Sequence, residues 1–300
     1  MDMKFVSIPF RPAFADTVKA LKIDSELEDE FRDIYEKCIA VARPKAVFCL
    51  VPVHQEGGET VIGTERFKSR IMQVNLQAVR RAFPYVVSCG RELYDLARSM
   101  EDEPDRWWVD SFSQYSMRAV DAEMTCVLKE TYHLGHMARM NPGSLPEFPI
   151  TCRRGLFRLL EGGADEIGLE LTDSCLMLPY KSVSGIAYET EATFENCMLC
   201  PRENCPTRRA PYDASMGAKT YHMSESDRLH STDDLVGWLT TMPVMGEVVE
   251  KAVEAGVRDK VKIMIGGAPV TEAFGQSINA DAHTPDATTC AEVAMQLLAS

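Results

Sequence analysis

GLELTDSCLMLPYKSVSGIAYE, residues 168–189, contains two β-like runs, GLELT and KSVSGIAYE, joined by CLMLP. Strands in this part of the chain do not alternate regularly with helices. Upstream, SELEDEFRDIYEKCIAVARP (residues 25–44) is punctuated as a helix: Ser25 stands as its cap, acids fill its first turn and Pro44 stops it. Leu27, Phe31, Ile34, Tyr35, Cys38 and Ala42 form its apolar stripe. KAVFCLVPV follows as a strand, EGG as a turn and TVIG as a returning strand. Residues 68–83 and 90–100 read as helices, and EPDRWWVDSF opens a longer one that runs to about His136 before Pro142 and Gly143 break it. Residues 151–161 form a short helix closed by Gly162 and Gly163. A block with this mixture is α+β.

The pattern changes after a polar stretch at residues 214–234, which reads as a linker. LVGWLTT, VKIMI and DAH are strands, each followed by a helix: MGEVVEKAVEAG, VTEAFGQSIN and DATTCAEVAMQLLA. That βαβαβα series is a small parallel sheet with right-handed crossovers, half of a Rossmann-like α/β unit. The expected organisation is therefore a first domain over 1–213, a linker over 214–234 and a partial α/β unit over 235–300.

The chain of 300 residues is 45% hydrophobic, enough to bury a full core, and carries a formal charge of −13. That charge argues against nucleic acid and anionic membranes as partners. The chain has no apolar run of about 18 residues and no signal-like start, so the cytoplasm is the expected compartment. There, its 10 cysteines read as thiols or metal ligands before disulfides. Three are clustered in CMLCPRENCP: Cys197, Cys200 and Cys205. Thiolates at this spacing suit zinc or an iron–sulfur cluster; reduced cysteines in a turn are the alternative. Cys175, Cys152 or a non-cysteine group would supply a fourth ligand. His133 and His136 stand three apart, a spacing that more often marks structural or solvated histidines than a metal site.

Leu171-Thr172-Asp173-Ser174, then Met177 and Pro179, then Ser182 to Gly185, together resemble the activation domain of cobalamin-dependent methionine synthase. RMNPGS at 139–144 resembles that family's R-x-x-P-G-Y element, with Ser144 in place of the tyrosine. The resemblance spans roughly residues 20–215 and implies an S-adenosylmethionine site. Arg139 would grip the ligand's carboxylate, Pro142 and Gly143 would let the backbone pass close, and Ser182, Ser184 and Gly185 would shape the pocket. Asp121, or failing that Glu123, would meet the ammonium. The implied reaction is reductive reactivation, in which inert cob(II)alamin on a partner is returned to methylcobalamin.

MGEVVEKAVEAGVRDKVKIMIGGAPVTEAFGQSINADAHTPDA resembles the C-terminal half of a methyltransferase corrinoid-binding domain. Gly266 and Gly267 supply that fold's glycine turn, but S-x-L is replaced by Leu235-Val236-Gly237, and the D-x-H-x-x-G loop is missing. His283 is expected to pack rather than to bind cobalt. Cobalamin would accordingly be presented by a partner, either a corrinoid protein or a cobalamin-dependent methyltransferase, with a reductant protein as a further partner; an iron–sulfur centre in the cysteine cluster would supply the electron, whereas zinc would pin the loop. Two alternatives remain open: a non-catalytic docking subunit of a corrinoid methyltransferase system, and a subunit of a split methionine synthase.

Overall fold

The computed structural model describes residues 2–145, 147–200, 208–223, 242–254, 256–266, 272–284 and 293. The chain divides into two compact units: Met1–Pro142 with Thr151–Asn196, and Gly143–Ile150 with Cys197–Ser300.

The first unit runs β1 (Met3–Ser7), α1 (Phe14–Leu21), α2 (Glu28–Val41), β2 (Lys45–Cys49), β3 (Val51–Glu56), β4 (Glu59–Ile62), β5 (Glu65–Phe67), α3 (Arg70–Asn75), β6 (Arg81–Ser88), α4 (Arg91–Ser99), α5 (Glu103–Tyr132), β7 (Met137–Met140), α6 (Arg153–Leu159), α7 (Gly163–Glu166), β8 (Glu170–Leu171), β9 (Met177–Leu178) and β10 (Ser182–Glu189). Eight of these strands form one open antiparallel sheet around β6. On one side β6 pairs with β2 and β3, and on the other with β10, which in turn carries β7 at the edge.

Pro84 sits inside this central strand. It pairs with Ile186 of β10, while the ladder to β2 and β3 lapses opposite it, between Phe48↔Tyr85 and Val51↔Ala82. A proline has no N–H to give, so the interruption falls where the donor is missing, and the register resumes unchanged. Residues 81–83 therefore belong to a strand, which corrects the expected helix over 68–83; only Arg70–Asn75 is helical. The continuous apolar run from Ala82 to Val87 is buried on both faces, so it lacks the alternation that marks a half-exposed strand.

The helices α2, α4 and α5 cover one face. Phe31, Ile34 and Cys38 of α2, Leu93 and Ala97 of α4, and Val109, Phe112, Val120 and Met124 of α5 pack with Phe48, Phe83, Tyr85, Val87 and Ala187 of the sheet. Each of the larger apolar side chains among them contributes on the order of 2 kcal/mol when removed from water. Of the predicted α2 stripe, Leu27 lies outside this core at 38% exposed, and Ser25 sits within a 3-10 turn, Ser25–Leu27, instead of capping the α-helix. On the opposite face the Cys49 thiol donates to the Leu159 carbonyl at 3.4 Å.

The helix predicted to reach His136 ends at Tyr132; His133 closes it in the left-handed conformation, and His136 lies beyond it, bonded through Nδ1 to the Thr190 carbonyl oxygen at 3.0 Å. GLELT shrinks to the two residues of β8, and residues 151–161 to α6.

In the second unit come α8 (Met216–Tyr221), α9 (Met242–Glu254), β11 (Met264–Gly266), α10 (Glu272–Ser277) and β12 (Ala282–Thr284). The expected linker thus contains a short helix. β11 and β12 pair in parallel, with Gly266 opposite Thr284, as a strand–helix–strand unit requires. LVGWLTT, Gly267 and all but Val293 of the final predicted helix fall outside the described residues, so the full βαβαβα series does too.

Candidate functional site

The antiparallel register of β10 decides which motif residues share a face. Gly185 stands opposite Tyr85, and Ala187 opposite Arg139. Directly paired residues point the same way, and alternate residues along a strand point the same way. Arg139, Tyr85 and Gly185 therefore face the layer that contains α5. Ser182 and Ser184 face the other side.

On α5, Asp121 and Thr125 are one turn apart and present the same face. Arg139 Nη1 donates to Asp121 Oδ1 at 2.7 Å, and Nη2 donates to the Thr125 hydroxyl. The guanidinium carbon lies 4.9 Å from the centre of the Tyr85 ring. Burial works against the charge of Arg139, but Tyr85 and Asp121 outweigh it and hold the guanidinium above its ordinary pKa. The Arg139 side chain keeps 15% of its surface open and Asp121 keeps 32%. Glu123, two residues further along α5, is exposed.

A cation and an anion fixed side by side, both within reach of solvent, complement a zwitterion. The α-carboxylate of an amino acid suits a guanidinium such as that of Arg139, and its ammonium suits a carboxylate such as that of Asp121.

The absence of a side chain at Gly185 has a local reason. A Cβ there would come within 2.6 Å of Asn141 Nδ2, 2.7 Å of the Tyr85 hydroxyl and 2.8 Å of the Met140 carbonyl oxygen. Asn141 Nδ2 fills that space, donating to the Tyr85 hydroxyl and the Ser184 carbonyl at 2.9 Å each. Its Oδ1 accepts from Asn196 Nδ2 at 3.0 Å. Tyr85, Thr125, Asn141 and Asn196 were not among the residues that sequence reasoning singled out. Only Asn141 carries a signal, because it lies inside the R-x-x-P-G element.

Ser182 donates to the Pro179 carbonyl at 2.7 Å, and its Oγ lies within hydrogen-bond distance of Ser88 Oγ at 3.0 Å. Ser184 is buried, and its Oγ has no hydrogen-bond partner among the described residues. Pro142 is buried in the first unit. Gly143 and Ser144 belong to the second, where Gly143 has φ +84° and its N–H donates to the Phe148 carbonyl at 2.7 Å, closing a tight turn. A positive φ is what glycine supplies cheaply.

In the cysteine cluster, Arg208 donates to the Cys197 carbonyl at 3.0 Å and the Cys200 carbonyl at 3.2 Å, and the Arg209 N–H points at Cys197 Sγ from 3.5 Å. Cys205 lies outside the described residues. Among the described residues no three metal-binding side chains come together. Cys175, considered as a fourth ligand, accepts a hydrogen bond at Sγ from Arg154 Nε at 3.3 Å. Burial pushes the Cys152 thiol up to about 11.

Gly266 also has an internal explanation: a Cβ there would meet the Thr284 carbonyl oxygen at 2.5 Å. His283 stands opposite Ile265 in the strand pair. Among the described residues no helix is long and apolar enough to cross a membrane.

No family model matches the chain. Its curated relatives include corrinoid proteins. Dimethylamine corrinoid protein 3 of Methanosarcina mazei is 47% identical over 60 residues, covering 20% of this chain and 36% of the relative. Dimethylamine corrinoid protein of Methanosarcina barkeri is 45% identical over 60 residues, 20% of this chain and 28% of the relative. The chain thus spans about a third or less of the length of these relatives. A dimethylamine corrinoid protein sequence from Methanosarcina thermophila is 41% identical over 59 residues and is matched along 100% of its length. Over that fifth of its length the chain belongs to the dimethylamine corrinoid protein family. Among solved structures, the MetH reactivation domain bound to AdoHcy aligns with a TM-score of 0.47 and 14% identity, covering 65% of this chain and 81% of that one.

Proposed function

We propose that this chain binds S-adenosylmethionine and uses it to reactivate the corrinoid of a partner protein. The observation that carries the reading is the Arg139–Asp121 pair, 2.7 Å long and partly open, held on the Tyr85 ring at the edge of the sheet. The pair offers opposite charges to the two ends of an amino-acid group, and both residues were picked out in the sequence for those roles. The corrinoid-protein relatives support the partner's chemistry.

In this reading a separate reductant gives one electron to Co(II), forming Co(I). The cobalt electron pair then takes the methyl carbon from the sulfonium, and the C–S bonding pair stays on sulfur. S-adenosylhomocysteine leaves. The chain's own residues hold and aim the methyl donor, and none need move a proton. Arg139 and Asp121 fix the amino-acid end, while Tyr85, Asn141 and Asn196 keep Arg139 and its strand in place.

Isothermal titration tests this. Wild type should bind S-adenosylmethionine, and Arg139→Ala should lose the binding by two orders of magnitude or more. That loss, about 3 kcal/mol, is the scale expected when the charge-assisted contact to the ligand's carboxylate is removed. No heat with wild type removes the proposal.

A second reading, the docking subunit, is favoured by the corrinoid-like fifth of the chain together with the parallel β11/β12 pair. The two readings separate on cofactor content.

A further inference from the structure

The end of β1 and the start of β2 form a depression of about 350 Å3 lined by Ser7, Ile8, Pro9, Arg11, Arg43 and Lys45. It lies wholly in the first unit and shares no residue with the Arg139 site. Three cations around one hollow are notable in a chain of formal charge −13. Two of them are not spent on carboxylates. Arg43 donates only to its neighbour's carbonyl, Ala42 O, at 2.7 Å, and Arg11 has no ion-pair partner among the described residues. Lys45 is partly balanced by Glu92 at 3.6 Å.

The strand pairing fixes this arrangement. Ser7 stands opposite Lys45, Lys45 opposite Ser88, and Ser88 opposite Ser182, so one polar line crosses four strands and ends at the hollow. The inner members are tied together: Ser182 Oγ lies within hydrogen-bond distance of Ser88 Oγ at 3.0 Å, and the Gly90 N–H donates to Ser88 Oγ at 3.2 Å. The Arg43 backbone is held against Gly90, where an added Cβ would meet the Arg43 carbonyl oxygen at 2.5 Å. The rim of the hollow is thus built on the sheet.

We infer that this depression is a binding site for a phosphate-bearing small molecule. Two guanidiniums present planar forks that suit tetrahedral oxyanions, Lys45 adds a point charge and the Ser7 hydroxyl adds a further donor. Ile8, half-buried, and Pro9, exposed, add apolar lining for the rest of the ligand. The volume is at the small end of ligand sites, right for a mononucleotide-sized compound and too small for a corrinoid. This inference stands apart from the S-adenosylmethionine reading.

The test compares adenosine 5′-monophosphate, inorganic phosphate and adenosine by isothermal titration against the full chain at low ionic strength. The monophosphate should bind, phosphate should bind more weakly and compete with it, and adenosine should not compete. The double variant Arg11→Gln/Arg43→Gln should lose at least tenfold in affinity for the monophosphate while its circular dichroism and thermal midpoint stay unchanged. Arg139→Ala should leave this binding intact, which separates the two sites. Equal affinity for adenosine and its monophosphate, wild-type affinity in the double variant, or no binding of either phosphate probe at millimolar concentration would each overturn the assignment. If the double variant fails to fold, Arg11→Gln alone decides: Arg11 is exposed and ties nothing together, so unchanged affinity in that variant also overturns it.

Discussion

Arg139 was picked out because RMNPGS resembles the R-x-x-P-G-Y element of the methionine synthase activation domain, and Asp121 because it falls where that family carries a glutamate. Tyr85 was not legible: it lies in a strand that had been read partly as helix, so its pairing with Gly185 could not be anticipated. Nor could the split of the SVSG motif between two faces of the sheet, which follows from register rather than composition. Gly185 makes the sharpest residue-scale prediction. Its absent side chain is occupied by the Asn141 amide. Gly185→Ala should cost about 1–3 kcal/mol through overpacking. It should also weaken S-adenosylmethionine binding, because Asn141 and Tyr85 must shift to make room. Urea unfolding measures the first and titration the second. A variant as stable as wild type would mean that the Asn141 amide is free to move.

At the scale of elements, the long helix α5 and the strand β10 emerged from the sequence with small errors in their ends, because periodicity and breakers marked them. β6 was obscured by burial on both faces and by Pro84. Buried thiols on these elements set a pH dependence. Burial pushes Cys38 on α2 and Cys89 just after β6 up to about 12, from an ordinary value of 9.0. Above pH 9 the unfolded chain therefore holds fewer protons than the folded one, and stability falls as pH rises. The contribution is intact below pH 9 and is lost progressively toward pH 12. Urea midpoints at about pH 8 and about pH 10 should show a decline in wild type that a Cys38→Ala/Cys89→Ala variant shows less steeply. Equal declines would show that lysines and tyrosines govern the alkaline range.

For the whole molecule, two compact units and a corrinoid-like fifth leave two readings, and cofactor content distinguishes them. Protein purified without oxygen should bind S-adenosylmethionine in the reactivation reading; the broad visible absorbance of an iron–sulfur centre would mean that the chain itself, in place of a separate reductant, hands over the electron. Zinc alone, with no S-adenosylmethionine binding, would favour the docking subunit. In the described part of the cysteine loop the Cys197 and Cys200 carbonyls accept from Arg208, and among the described residues no three metal-binding side chains come together.

The surface of α5 has one further consequence. Cys126 follows Thr125, which touches Arg139, and among the described cysteines it is the one that is exposed; the others are buried or half-buried. A fluorophore attached there through maleimide chemistry would sit on α5 about 100° round the helix from Thr125, without replacing any member of the ion pair. Occupancy of the pair could then be followed optically, in real time, while a partner docks.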